Sequence, residues 1–170
     1  MMKTNYSYQN WKPETMARAY GRDLPISMKQ SAMICKFIKG RPVAKAKQLL
    51  QDVQRHRIAV PFSQFNRDMG HKPGIGPGRY PEKATKNILT IVESAEANAS
   101  SKGLDTGSLV IMHACAHLAA RPRRYGNAHS GEKAKRSHIE IVVGVAAKEE
   151  KKKVETKTEK KTETKKVTQK

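Results

Sequence analysis

Two segments in the second half of the chain, SLVIMHACAHL from Ser108 and SHIEIVVGV from Ser137, alternate apolar and polar residues and are rich in Val, Ile and Met. That pattern predicts two strands, paired as an antiparallel hairpin. The stretch between them, AARPRRYGNAHSGEKAKRS, constrains the fold most, because it carries small and charged residues where a core would need large apolar ones. The hairpin, about residues 109–145, therefore has one end in the body and one end outside it. At about 3.3 Å per residue each arm reaches on the order of 40 Å from sheet to tip, against a body radius of gyration of roughly 14 Å. Val110, Met112, Ala114, Ala116 and Leu118 are expected to share one face of the first strand, and Ile139, Ile141, Val143 and Val145 one face of the second, both against helices. Two strands alone are marginal, so a third around Met16 to Tyr20 is expected to complete the sheet.

Three segments have helical periodicity. Ser27 to Ile38 opens with Ser27 three residues before Gln30, a capping-box spacing, puts Met28, Ala32, Cys35 and Ile38 on one stripe, and stops at Gly40. Pro42 suits the first turn of a second helix to about Arg55, with Val43, Ala46, Leu49, Leu50 and Val53 inward. The third and longest runs from Pro81 to about Ser101, with Ala84, Ile88, Ile91, Val92, Ala95 and Ala99 inward and Gly103 as its stop. The expected fold is α+β: a small three-stranded antiparallel sheet on three helices, with a protruding hairpin. Residues 1–147 form this domain. The remainder, 148–170, holds ten Lys, five Glu and no aromatic residue, and is expected to be a disordered basic tail.

Charge sets the class of partner. The whole chain carries 34 Lys plus Arg against 15 Asp plus Glu, a formal +19, and removing the tail's +5 leaves the body at +14. A body so basic points to a polyanion, nucleic acid first. No apolar run approaches the roughly 18 residues of a membrane span, and MMKTNYSYQNW lacks a signal peptide's apolar core, so a protein that stays in the compartment of its synthesis and binds no membrane is expected. Cys35 and Cys115 lie far apart without a C-x-x-C pair and should be reduced thiols.

Candidate contacts follow from the distribution of charge. Residues 121–136 carry Arg121, Arg123, Arg124, Lys133, Lys135 and Arg136 against Glu132 alone. Arginine bonds phosphate oxygens in pairs and stacks on bases, whereas lysine acts as a point charge, so the Arg-rich tip reads as a placed RNA contact and the Lys-rich tail as a nonspecific one. A solvated loop is the plainer alternative for the tip. Tyr125 is suited either to stacking on an unpaired base or to packing on the opposite arm. The aperiodic stretch from Phe62 to Tyr80 includes MGHKPGIGPGRYPEK; it lacks the Gly-Lys-Ser/Thr ending of a phosphate loop, but Arg67, Lys72, Arg79 and Lys83 place cations in it and at the start of the following helix, where free N–H groups favour phosphate.

His113, Cys115 and His117 point to one side of a strand, with His138 opposite. Their spacing of about 7 Å is too wide for one zinc without a bend, and a row on a strand is not a nucleophile's pocket. No catalytic residues, metal or cofactor are therefore expected.

In order, AKQLLQDV, AVPF, GHKPG, GRYPEKATKNIL, ESAEANASSKGLD, SLVIMHACAH and a basic hairpin ending in SHIEIVV resemble the large-subunit ribosomal protein numbered twenty-two in bacteria and seventeen in eukaryotes, over about residues 6–146. The loop through Gly74 and GRYPEKA are similar to the archaeal and eukaryotic branch. The resemblance implies a non-enzymatic structural constituent of the large subunit, cytoplasmic and ribosome-bound, with large-subunit rRNA, neighbouring ribosomal proteins and the nascent peptide as partners. It also implies that the hairpin helps line the peptide exit tunnel, with PRRYGNAH, Pro122 to His129, at the tip. There this sequence departs from its relatives, which commonly carry another arginine where Asn127 stands and have a longer tip. A DNA-compacting chromatin or nucleoid protein is the alternative; it accounts for the charge and tail but not for the Arg-rich hairpin.

Overall fold

The computed structural model describes residues 6–126, 128 and 130–145. The expected tail at 148–170, the domain limit at 147, and Asn127 and His129 of the tip lie outside the described residues. In chain order the elements are β1 (Met16–Leu24), α1 (Met28–Ile38), α2 (Val43–Gln54), β2 (Val60–Pro61), β3 (His71–Lys72), β4 (Gly76–Arg79), α3 (Glu82–Ser101), β5 (Leu109–Leu118) and β6 (Ser137–Val145). The main sheet has the order β1-β6-β5, all antiparallel, so the expected third strand exists and lies beside the second arm of the hairpin.

α1 and α3 pack on this sheet, and α2 packs on α3. All six residues predicted inward on α3 are buried, because a twenty-residue helix with apolar groups every third or fourth position leaves one choice of face. Thr85 joins them, its hydroxyl donating to the Pro81 carbonyl at 2.9 Å. α1 begins at Ser27 as expected, but the Ser27 side chain makes no cap. Instead the Ser31 hydroxyl donates to the Ser27 carbonyl at 2.9 Å, and the buried stripe is Ser31, Ile34, Cys35 and Ile38 with Met33, leaving Met28 and Ala32 half-buried.

The first arm of the hairpin corrects the expected faces. Ile111 pairs with Val143 and His113 with Val142, so Met112 is an extra residue, a β-bulge. Parity flips there. Before the bulge Leu109 and Ile111 face the helices; after it Ala114 and Ala116 do, whereas Val110 is half-buried and Met112 and Leu118 are 40% and 54% exposed. A strict period-two reading assigns Val110 and Met112 inward only because it assumes no insertion. On β6, Ile139, Ile141 and Val143 are fully buried as expected, while Val145 at the strand end is 37% exposed.

The stretch read as irregular, Phe62 to Tyr80, holds β3 and β4, which with the preceding β2 form a second small sheet of order β2-β4-β3. Val60, Phe62 and Met69 from it join the main core, and the Phe62 amide donates to the Pro77 carbonyl at 2.9 Å. Strands of two to four residues are too short to show periodicity, which is why the sequence hides them.

A second bulge lies in β1 between Gly21 and Leu24, where Asp23 takes a left-handed φ of 51°. Its amide donates to His138 Nδ1 at 3.1 Å, so the backbone group freed by the bulge is satisfied. Gly21 has no room for a side chain: a Cβ there would stand 2.4 Å from Ile91 Cδ1.

Candidate nucleic-acid interface

Beyond the last ladder pair, Leu118 with Ser137, the hairpin continues as a looser ribbon. The Ala119 amide donates to the Arg136 carbonyl at 3.2 Å, Ala134 to Pro122 at 2.9 Å and Arg124 to Glu132 at 2.8 Å, with a bridge between Arg123 and Lys133. Gly126 and Gly131, both at positive φ, flank the turn. The described part of the ribbon is held by backbone pairing and by the exposed Arg124–Glu132 pair rather than by an apolar face, and its cations lie on the outside.

The base of that ribbon faces the N-terminal ends of two helices across two adjoining clefts. Arg121, Lys135 and Arg136 share a cleft of about 420 Å³ with Arg79 of β4 and with Ser27, Met28 and Lys29 at the start of α1. An adjoining cleft of about 490 Å³ brings Lys83 of α3 to Arg124 and Lys133, again beside Ser27 and Arg136. Seven of the predicted contact residues, namely Arg79, Lys83, Arg121, Arg124, Lys133, Lys135 and Arg136, thus meet on one side of the molecule, although they are more than fifty positions apart in the chain at the extremes. Among the described residues two carboxylates stand with them: Glu132, 3.8 Å from Arg124, and Asp23, which shares a neighbouring cleft with Arg121 and Arg136.

The other four line neither cleft. Arg67 Nε donates to the Ser63 carbonyl at 2.8 Å, and Lys72 Nζ stands 5.4 Å from the centre of the Tyr80 ring. Arg123 is exposed on the ribbon, and Tyr125 is 96% exposed, so it does not pack on the opposite arm. The start of α3 carries its own anion: Glu82 in the first turn bonds His56 Nε2 at 2.6 Å, so the helix N-terminus near Arg79 and Lys83 is partly neutralised.

Sequence reasoning missed Lys29, Gln30 and Asn66, which line the same cleft as Arg79 and Arg121. The available signal was the position of Lys29 on the polar side of a helix whose start was already placed at Ser27. Nothing local marks Asn66.

The histidine row serves the fold. His113 Nε2 lies 2.6 Å and His117 Nε2 3.6 Å from oxygens of the buried Glu140, which also accepts hydrogen bonds from the Ser7 amide and hydroxyl. Burial pushes the Glu140 carboxyl up, but the Ser7 donors and the His113 ring outweigh it and hold the group below the usual carboxylate range. Among the described residues no group of three or more His, Cys, Asp or Glu is arranged to hold a metal ion. Burial raises both thiols, Cys35 to about 12, which removes thiolate character from each. No helix among the described residues is long and apolar enough to cross a membrane.

Residues 19–144 match the family described as Ribosomal protein L22p/L17e. Among curated proteins, the large ribosomal subunit protein uL22 of Methanosphaera stadtmanae is 40% identical over 152 residues, covering 85% of this chain and 98% of that protein. The uL22 of Haloquadratum walsbyi is 42% identical over 135 residues, covering 75% of this chain and 85% of its own length, and that of Archaeoglobus fulgidus is 38% identical over 128 residues, covering 74% and 83%.

Proposed function

The chain belongs to the Ribosomal protein L22p/L17e family, and from that membership we propose how it works as a constituent of the large ribosomal subunit. It is a structural, non-enzymatic, ribosome-bound protein that associates with rRNA and other ribosomal proteins. The finer reading is that residues 1–147 act as one RNA-binding domain, that the cationic side described above seats on large-subunit rRNA and supports subunit assembly, and that the hairpin tip helps line the exit tunnel beside the nascent peptide.

One observation carries this reading: cations from β4, α1, α3 and both arms of the ribbon converge on one side, where they outnumber the carboxylates of Glu132 and Asp23 that line the same group of clefts. Gathering like charges costs free energy unless a polyanion offsets it, and an RNA backbone supplies several phosphates at once. The tunnel role draws its support from the ribbon's lack of an apolar face and from the exposure of Tyr125, both of which suit a segment that finds its partners outside the chain. A DNA-compacting role has no comparable support.

Reconstitution of large subunits with and without the protein, followed by cross-linking to RNA, tests the reading. Cross-links from Arg79, Arg121 and Arg136 to rRNA within sedimenting large subunits are expected. Their absence, with the protein recovered free at the top of the gradient, overturns it.

A further inference from the structure

The cleft shared by Arg79, Arg121 and Arg136 has features that a surface for RNA backbone alone does not require. It is a pocket of about 420 Å³, within the range of small-ligand sites, and two side-chain amides, Gln30 and Asn66, stand on its wall with the half-buried Met28. Among the described residues neither amide side chain makes a hydrogen bond, and none of the cleft's cations is in an ion pair. No carboxylate lines it.

We propose that this cleft holds one nucleotide of the rRNA extruded from its stack, with its phosphate on the arginines and its base edge on the amides of Gln30 and Asn66. The inference rests on the rRNA-binding reading above and specifies what that site takes. A carboxamide presents a donor and an acceptor side by side, the pattern that matches the edge of a base and is not needed for phosphate, where only donors serve. Sequence-specific recognition of RNA proceeds largely through such unstacked bases, because the deep, narrow groove of the A-form helix admits no side chain. Met28 supplies an apolar, polarisable surface for the base face. Three separate elements build the pocket: the first turn of α1, the small sheet with its adjoining loop, and the base of the ribbon. The pocket therefore exists only in the folded chain, with the ribbon facing the helix across it. The Ser27 side chain leaves the first-turn N–H groups of α1 uncapped, and these add further donors on the phosphate side.

The test uses the full chain and deproteinised large-subunit rRNA, with two variants, Gln30→Ala/Asn66→Ala and Arg79→Ala/Arg121→Ala. The altered side chains are exposed or half-buried, and melting temperatures check that both variants fold. Affinity is measured across a salt series, and the bound RNA is probed with reagents that modify unpaired base edges and with hydroxyl radicals that cut the backbone. The amide variant is expected to lose about tenfold in affinity with an unchanged salt slope, and to re-expose one unpaired base while backbone protection remains. The arginine variant is expected to reduce the salt slope by about two. If the amide variant binds within about twofold of the parent and every base protection persists, the cleft takes backbone only; the proposal is then wrong while the rRNA reading stands. If the parent chain gives neither saturable binding nor protection, both fail together.

Discussion

Glu140 is the residue on which the outer face of the main sheet is organised. It sits on the central strand β6, buried, with the amide and hydroxyl of Ser7 on its carboxylate and the rings of His113 and His117 beside it. The Tyr8 ring lies 5.3 Å from that of His113, so this one carboxylate fastens the segment preceding β1 across the sheet. Because its folded pKa lies below the ordinary 4.5, Glu140 contributes stability that is fully present above that value and is lost as pH falls through the folded pKa. Glu140→Gln should therefore lower stability at pH 7 by about 1–3 kcal/mol and flatten the loss of stability on acidification. Thermal melts from pH 7 to 2 check this; an acid limb identical in parent and variant would show that other carboxylates set it. Across the sheet, Ile88 of α3 is fully buried and Ile91 is 7% exposed, and replacing either with Ala should cost about 2–5 kcal/mol in chemical denaturation. Values below about 0.5 kcal/mol at both would contradict the packing.

The elements were legible in the sequence in proportion to their length. α3 repeats its apolar stripe over five turns, and its inward residues, its start near Pro81 and its stop at Gly103 could all be read. β5 was legible as a strand but not as a face, since one inserted residue at Met112 reverses every later side chain, and periodicity carries no record of which strand bulges. β2, β3 and β4 were illegible because their pairing is non-local and their runs too short. The ribbon is legible as chemistry, in its missing apolar face, whereas its approach to the α1 end across a shared cleft is not, because that neighbour is distant in the chain. That approach makes the following outcome specific. Changing Arg121, Arg123 and Arg124 together to Ala should leave the melting temperature within a few degrees, as all three are exposed, and weaken rRNA binding with a reduced salt slope. In particles assembled with the variant, chemical probing should find altered reactivity in tunnel RNA. Unchanged tunnel reactivity, with lost protections confined to the subunit's outer surface, would refute the proposed position of the tip.

At the scale of the whole molecule, folding and binding draw on different parts of the chain. The apolar core runs from Ala17 to Val143 and takes residues from both sheets and all three helices, while the ribbon from Arg121 to Arg136 adds no large apolar side chain to it. The candidate site was half legible for the same reason: charge density along the sequence picks out Arg121 to Arg136, but only the fold brings Arg79, Lys83 and Lys29 to that stretch. This separation of roles sets an expectation for residues 148–170, whose ten Lys and five Glu add +5 and which hold two valines and no aromatic residue. Deleting them should leave cooperative unfolding and the melting temperature unchanged, because the core of the described residues is complete upstream, between Ala17 and Val143. RNA affinity should fall modestly at low salt and converge with that of the full chain as salt rises, since exposed lysines act by releasing counterions and that contribution is screened. The Arg-rich cleft should then dominate binding near physiological ionic strength. Melting curves and a salt series on the truncated chain measure both halves of the expectation: loss of cooperative unfolding would make 148–170 part of the folded unit, and an affinity deficit that persists undiminished at high salt would mean that the segment makes specific contacts of its own.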